Sequence, residues 1–356
     1  MAQLNFSQLT APNGAVTDLK NLLFVETYAS QSISEIFSVM FGQHNGDKVG
    51  LIRSFGMLGK KSQGCNPDYE NSLANLEEKV WDIQEWDIPE KLCYKDVEGT
   101  LVQYAMKSGV DKANLIDTDY FKGIIEPLLK EEIRKMILRF ALFGDKAITS
   151  GALKSGSVDN FNMIDGVWKQ VFDGEASGKI SRTAITANDA TTIAAQKSAI
   201  STAKTATGIL TAVMEDAPLK LQQANNKVIF ITQALYNAWI HDVRTNNIGS
   251  EGQWESWANG MKAGMIDGVK VVVVPFMDEI IKSNLKNTTN AGALDKPYRV
   301  IYTTSDNLLL GTESDGSNFE NSLKYGFNEE TQSNWVIAKD TLGVMILDNE
   351  LIHVAY

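Results

Sequence analysis

Histidine and cysteine have the widest catalytic and metal-binding range, and this sequence contains three histidines and two cysteines. His44, His241 and His353 are widely separated, so an HExxH zinc helix does not occur, and a three-histidine metal site would need all of them. We predict that each is structural or solvent-exposed. Cys93 has no base nearby in the sequence, which favours a small buried side chain over a nucleophile.

A glycine-bounded segment, residues 174–179 (GEASGK), resembles a phosphate-binding loop. It has three residues between its glycines where that loop has four, and Ile180 stands where a Ser or Thr would bind Mg²⁺. The nucleophile elbow GxSxG and the dinucleotide fingerprint GxGxxG do not occur. The sequence therefore predicts no catalytic residue, no cofactor and no metal site.

Two tryptophans, Trp254 and Trp257, lie three positions apart, a spacing that one helical face or one subunit contact would explain. Stacking on a nucleobase would normally bring interleaved Arg or Lys, which are absent from this segment. We interpret the pair as packing or interface residues.

The composition limits the class of protein. The 356 residues are 44% hydrophobic, enough to bury a core without a metal or disulfide, and the length suggests about two domains. The 33 basic and 44 acidic residues give a net charge of -11, which argues against a protein that coats nucleic acid or binds anionic membranes, although a basic face remains possible. Two cysteines fit a reducing compartment, and no apolar run reaches the roughly 18 residues of a membrane span. We expect a soluble cytoplasmic product.

The acidic residues are concentrated in one region. Residues 67–99 contain ten acids against three lysines, whereas the segment just before them is basic. Residues 48–58 and 79–94 have extended character and flank a long polar turn, which predicts a two-stranded hairpin with one basic and one acidic strand. Such a hairpin has too little core to be stable alone, so it must lie on another part of the molecule.

Further elements follow from hydrophobic periodicity. Helical spacing predicts a long helix at 119–144 and a second helical run at 187–214. Strands and helices then alternate over 227–303, which indicates an α/β unit. The β-rich end contains strands at 335–338 and 344–347, separated by residues 341–343, and a closing strand at 351–354.

This order of elements resembles the major capsid proteins of tailed double-stranded DNA phages, whose fold also occurs in encapsulins and the herpesvirus shell floor. Local passages are similar too: RFALFGD at 139–145, NMIDG at 162–166, KVIFITQALYNAW at 227–239, GVKVVVVPFMD at 268–278 and DNLLLG at 306–311. The resemblance extends over most of the chain from about Lys48.

The resemblance implies an α+β fold with five parts. They are an N-terminal arm (1–47), an E-loop hairpin (48–95), a P-domain (96–224) that includes the spine helix 119–144, an α/β A-domain (225–305) and a return to the P-domain (306–356). It further implies a structural protein without enzymatic activity, which self-assembles into hexamers and pentamers of an icosahedral shell around packaged DNA. The implied partners are other copies of the chain, a portal protein, a separate scaffold and a cement or decoration protein, with location in the virion after assembly in the host cytoplasm.

Assembly contacts are expected at the hairpin and at the tryptophan pair. The candidate residues are Lys60, Lys61, Glu77, Glu78, Asp82, Glu85, Asp87, Glu90, Trp254 and Trp257. The candidate for non-specific contact with DNA is the basic stretch Lys179, Arg182, Lys197 and Lys204, for which a solvated helix face is the favoured alternative. Alternative interpretations are an encapsulin-like compartment, a tail or other virion protein, and a cytoplasmic α/β enzyme built on residues 227–303.

Overall fold

A computed structural model describes residues 33–52, 61, 76–93, 126–246, 255–256, 262–313, 323–331 and 333–356. Within these ranges the α-helices are α1 Ile33–Ile36, α2 Glu126–Phe143, α3 Val167–Ala176, α4 Ile193–Ile200, α5 Thr205–Glu215, α6 Leu219–Gln223, α7 Gln233–Asn246 and α8 Pro275–Ser283. The strands are β1 Ser38–Met40, β2 Lys48–Ile52, β3 Leu76–Val80, β4 Ile83–Cys93, β5 Ser181–Thr183, β6 Lys227–Ile231, β7 Glu255–Ser256, β8 Lys262–Ile266, β9 Val269–Val273, β10 Val300–Thr304, β11 Leu308–Gly311, β12 Leu323–Asn328, β13 Ser333–Ile346 and β14 Ile352–Ala355.

A seven-stranded sheet has the order β5-β14-β10-β6-β9-β8-β7. Its parallel strands β6 and β9 confirm the α/β unit predicted from the sequence. The two faces of β6 enter different cores: Val228 and Phe230 belong to the core that contains α2, whereas Ile229 and Ile231 belong to the core of α5 and α7. Burial on both faces explains why this strand is a continuous apolar run.

The core beside this sheet contains residues from both sides of the domain boundary expected between residues 224 and 225. Helices α4 and α5, which precede that boundary, share one core with strands β6, β9 and β10, which follow it. Strand β14, expected in the return to the P-domain, pairs with β10 and β5 in the same sheet. The division into domains therefore stays a prediction.

The long helix predicted at 119–144 is observed as α2, and the residues that precede it lie outside the described ranges. Pro127 lies in its first turn, where the missing N–H breaks no intrahelical hydrogen bond. At the exit, Gly144 N donates to Phe140 O at 3.0 Å, and Gly166 N donates to Gly144 O at 2.9 Å. These two glycines bring the end of the helix directly against the segment that enters α3.

The single helical run predicted at 187–214 is wrong, because the chain turns between α4 and α5. Lys204 lies in this turn with φ of 65°, a left-handed conformation that interrupts an α-helix. Asp242 of α7 caps the start of α5: its carboxylate accepts from the backbone N–H groups of Lys204, Ala206 and Thr207 at 3.1, 3.0 and 3.2 Å. Asp242 is only 1% exposed, so these donors take the place of water.

We expect Asp242→Ala to lower the free energy of unfolding by about 2 kcal/mol, because three backbone N–H groups, one of them buried, lose their shared acceptor. Urea denaturation of the purified chain measures this change. The control is Glu215→Ala at the other end of α5, where an exposed side chain should change stability by less than about 0.5 kcal/mol. Equal losses in the two variants would contradict the capping role.

The two strands predicted at 335–338 and 344–347 are one continuous strand, β13, and the separation expected at 341–343 is wrong. A Cβ at Gly343 would lie 2.7 Å from Ile83 Cγ1 and 2.9 Å from Asp82 O. The glycine therefore serves the close approach of the neighbouring chain segment rather than a turn. β13 forms the centre of a five-stranded sheet in which it pairs with β4, β11 and β12, and β11 also pairs with β1.

The hairpin predicted from 48–58 and 79–94 is confirmed where β2 meets β3, and it is wrong for residues 83–93, which pair elsewhere. Residues 53–58 and 94 lie outside the described ranges. β2 pairs antiparallel with β3, and these two strands form a separate two-stranded sheet. The next strand, β4, leaves the hairpin and pairs with β13 over eleven residues, from Ile83 opposite Gly343 to Cys93 opposite Ser333. The change follows from burial: Trp81 and Trp86 are 1% and 4% exposed, and they anchor the segment in the core.

Candidate assembly surface

The structure separates the predicted assembly residues. Lys60, Trp254 and Trp257 lie outside the described residues, and Lys61 is exposed. The acids lie on β3, on β4 and on the link between the two strands. They are Glu77, Glu78, Asp82, Glu85, Asp87 and Glu90.

The base of the hairpin carries the opposite charges predicted for its two strands. Lys48 Nζ on β2 lies 2.7 Å from Glu78 Oε2 on β3, and this hydrogen bond is the main reason that the pKa of Lys48 is raised. The two side chains are 63% and 61% exposed, so their pairing adds little to stability. Exposed charges of this kind influence the choice and orientation of a partner more than they stabilise the fold.

Trp81 attaches the hairpin to the rest of the molecule. Its ring packs with Leu309, Met345 and Ile83. A Cβ at Gly311 would lie 2.9 Å from Trp81 Cζ3, so the glycine leaves the space that the ring occupies. The main chain is held as well, since Trp81 N donates to Asp47 O at 2.8 Å and Trp81 O accepts from Gly46 N at 2.9 Å. The hairpin thus leaves the core from a fixed point.

The residues on either side of Trp81 add polar contacts to this attachment. Lys79 Nζ donates to Ile346 O at 2.6 Å and to Asn349 Oδ1 at 2.9 Å. Asp82 forms an ion pair with Lys146, which follows the exit of α2. We call Lys79, Trp81 and Asp82 the hairpin root. Asp82 is engaged within its own chain, which favours a role in positioning the hairpin over one in contacting a neighbour.

Two predicted acids remain on an open surface of β4. Glu85 and Asp87 alternate with the buried Trp86, so they share the exposed face of the strand. The Glu85 side chain is 78% exposed, with Lys339 Nζ 4.0 Å from its carboxylate, and Asp87 lies opposite Lys339 in the strand register. We call Glu85 and Asp87 the acidic face. For Glu90 the structure gives the backbone pairing opposite Val336.

Two of the three histidines are exposed and the third is buried. His44 and His241 lie at the surface, and His353 is 1% exposed within β14, which agrees with the prediction that each is solvent-exposed or structural. Its Nδ1 lies 2.6 Å from Ser181 Oγ and its Nε2 lies 2.8 Å from Thr183 Oγ1. Burial lowers the pKa of His353 to about 4, which makes it a weak base at neutral pH. No sequence motif indicates this contact, because β5 and β14 are far apart in the chain and meet only by parallel pairing.

We expect the protein to lose stability in acid because of His353. Because its folded-state pKa of about 4 is below the ordinary 6.5, the unfolded chain binds the proton first as the pH falls. Stability present above pH 6.5 is lost progressively towards pH 4, by about 3 kcal/mol in total. Urea denaturation at a series of pH values should show a flatter profile for His353→Gln than for the original chain.

Asp278 changes the pH dependence of stability in the opposite direction, because burial raises its pKa. The quantity to measure is therefore the difference between the profile of His353→Gln and that of the original chain. The matched control is His241→Gln, because His241 is exposed. Its profile should coincide with that of the original chain. If His353→Gln also coincided with it, His353 would not be the titrating group.

Other kinds of site find no support in the described ranges. No group of three His, Cys, Asp or Glu side chains within them could hold a metal ion. None of the helices in the same part of the chain is long and apolar enough to cross a membrane. Of the basic stretch, Lys179 and Lys197 are exposed, whereas Arg182 pairs with Glu175 at 3.7 Å.

No family model and no curated protein matches this sequence. Solved structures do match, over nearly the whole chain. A chain of Gordonia phage Cozz has a TM-score of 0.53 at 10% identity, with 98% of this chain and 91% of that chain covered. The capsid of a native GTA particle has a TM-score of 0.52 at 12% identity, with 97% and 99% covered. A chain of Mycobacterium phage Ogopogo has a TM-score of 0.52 at 10% identity, with 96% and 99% covered. At these identities the likeness concerns the fold, and it confirms the α+β capsid fold expected from the sequence.

Proposed function

We propose that this protein is the major capsid protein of a tailed double-stranded DNA phage. Its copies would assemble into hexamers and pentamers that form an icosahedral shell around packaged DNA, a structural role without catalysis. The observation that carries this proposal is the likeness to the GTA capsid, which covers 97% of this chain and 99% of that one. Agreement over such a length leaves little of either chain for a separate catalytic unit.

The hairpin supports an assembly role. β2 and β3 form a sheet of their own, and two strands alone bury too little to be stable in water. The hairpin root holds them in one place, so that the segment between them, including Lys60 and Lys61, can lie on a neighbouring subunit. The acidic face and the tryptophan pair Trp254 and Trp257 are the further proposed contacts, and the division into arm, E-loop, P-domain and A-domain belongs to the same proposal.

The proposal includes partners and a location. Besides other copies of the chain, the shell would bind a portal protein, a separate scaffold and a cement or decoration protein. Contact with packaged DNA would be non-specific and salt-dependent, through exposed lysines such as Lys179 and Lys197. The protein would assemble in the host cytoplasm and reside in the virion.

Sedimentation and electron microscopy of the purified chain test this function. Capsomers or shells of megadalton size are the expected result, and a stable monomer or small dimer at high concentration would contradict it. Particles isolated from producing cells should contain nuclease-protected double-stranded DNA. Particles that instead enclose a protein cargo would favour the encapsulin-like alternative.

A further inference from the structure

Three cations surround a group of aromatic rings between α3, β5 and β14. Lys296 Nζ lies 4.4 Å from the centre of the Phe172 ring and 4.9 Å from that of Tyr356. Arg182 Cζ lies 4.7 Å from the centre of the Tyr356 ring. Arg299 Cζ lies 5.7 Å from the centre of the Phe172 ring. We call Arg182, Lys296, Arg299, Phe172 and Tyr356 the cation-aromatic site.

Arg299 forms the buried floor of this site, and its hydrogen bonds lie within its own segment. The side chain is 1% exposed. Its Nε donates to Lys296 O at 2.9 Å, and its NH2 group donates to Asp295 O at 3.2 Å and to Asp295 Oδ2 at 2.9 Å. These bonds hold Lys296 in a left-handed backbone conformation with φ of 42°, which a lysine seldom adopts. The site is therefore rigid around the lysine.

Lys296 differs from both arginines in its partners. Asp295 binds Arg299, and Glu175 lies against Arg182, but within the described residues no carboxylate or carbonyl oxygen accepts a hydrogen bond from Lys296 Nζ. The side chain is half-buried, and burial together with the nearby arginines lowers its pKa. A partly desolvated ammonium that packs on two rings and has no oxygen acceptor among the described residues is stabilised by an anion that enters the site.

The charges around the site limit the kind of anion. Glu175 and Asp295 flank the cations, with side chains 38% and 30% exposed. They would repel a polyanion that carries closely spaced phosphates, whereas a single carboxylate is repelled less. Arg182 Cζ and Lys296 Nζ lie 4.7 and 4.9 Å from the centre of the same Tyr356 ring, which places both cations at one site. The chain itself offers carboxylates in the acidic face, where Glu85 is 78% exposed. Within the described residues, Glu85 pairs with Lys339 and Arg182 pairs with Glu175, and no ion pair joins the acidic face to Lys296 or Arg182 of the same copy. We therefore look to a second copy for this contact.

We propose that Lys296 and Arg182 bind a carboxylate of the acidic face, Glu85 or Asp87, of a second copy of this chain. This inference rests on the proposed assembly function and names one contact of that assembly. A partly buried receptor and an exposed acid of opposite charge favour association in one orientation, and the contact weakens as salt rises.

Lys296→Met tests the contact, because methionine keeps most of the apolar stem and removes the charge. The concentration at which the full-length chain forms shells, measured by sedimentation and light scattering, should rise about tenfold and depend less on salt. Arg182→Gln should act in the same direction. Charge reversal by Lys296→Glu should block assembly, and combining it with Glu85→Lys and Asp87→Lys in the same chain should restore it. Lys286→Met, at an exposed lysine outside the site, is the control and should assemble normally.

Circular dichroism and thermal unfolding show whether each variant folds. If Lys296→Met does not fold, the assembly of Arg182→Gln tests the inference. Normal assembly of both folded variants would overturn the inference while leaving the shell function intact. Normal assembly with weaker binding of duplex DNA at low salt would also overturn it, and would assign the site to nucleic acid. Failure of the original chain to assemble under any condition would overturn the proposed function and this contact together.

Discussion

Trp81→Ala is expected to lower the free energy of unfolding by about 3 to 5 kcal/mol, the range for removing a large aromatic side chain from a core. The indole is 1% exposed and packs with Leu309 and Met345, and Gly311 leaves a space that only a large ring fills. The loss should also free the hairpin base, so limited proteolysis should cut near β2 and β3 faster than in the original chain. Urea denaturation measures the first effect and the cleavage rate measures the second.

Two further variants show whether the loss of stability comes from the missing ring or from any substitution at this part of the hairpin. Trp81→Phe should cost much less than Trp81→Ala, because it keeps an aromatic ring and removes Nε1, which is buried without a hydrogen-bond partner among the described residues. Val80→Ala, one position away at a side chain that is 56% exposed, should change stability by less than about 0.5 kcal/mol. If Trp81→Ala were as mild as Val80→Ala, Trp81 would not hold the hairpin.

The second large effect is expected at the exit of α2. A Cβ at Gly144 would lie 2.3 Å from Ile164 O and 2.6 Å from Phe140 O, and both are main-chain atoms in a packed region. Because neither can move without displacing the helix end or the segment that enters α3, Gly144→Ala should destabilise the protein by about 3 kcal/mol or more. Thermal unfolding or urea denaturation measures the change.

Gly151→Ala is the matched control for this prediction. The nearest atom to its added Cβ is Thr149 Oγ1 at 3.7 Å, an ordinary contact, so stability should stay within about 0.5 kcal/mol or rise slightly as the unfolded chain becomes less flexible. Because both variants make the same chemical change, the difference between them isolates the steric overlap. Similar stabilities would mean that the helix exit can rearrange.

Elements with a strong local pattern were predictable from the sequence. β6 and β9 are short, mainly apolar runs, and α2 keeps a helical spacing over many turns, so propensity and burial agree there. The exposed charges of the hairpin base were also predictable, because the residue types of the two segments determine the sign of each charge. The order of such elements was enough to indicate the α+β capsid fold.

Contacts between distant parts of the chain were not predictable from local patterns. Nothing near Ile83 shows that β4 pairs with β13, and Gly343 looks like a turn residue until its contact with Ile83 is known. The break at Lys204 depends on a carboxylate 38 positions away. The cation-aromatic site is assembled from scattered single residues, such as Phe172, Arg182 and Lys296, none of which forms a motif with its neighbours in sequence.

The position of β14 in its sheet has a consequence for timing during synthesis. β5 is an edge strand whose neighbour in the sheet is β14, and the paired residues Ser181 and His353 are 172 positions apart. At ~5 to 20 residues per second, a ribosome needs roughly 10 to 30 s to make the intervening chain. Until then Arg182 has no sheet to hold it and Tyr356 does not yet exist. The cation-aromatic site is therefore completed only after β14 and Tyr356 have been made, late in the synthesis of the residues that form it.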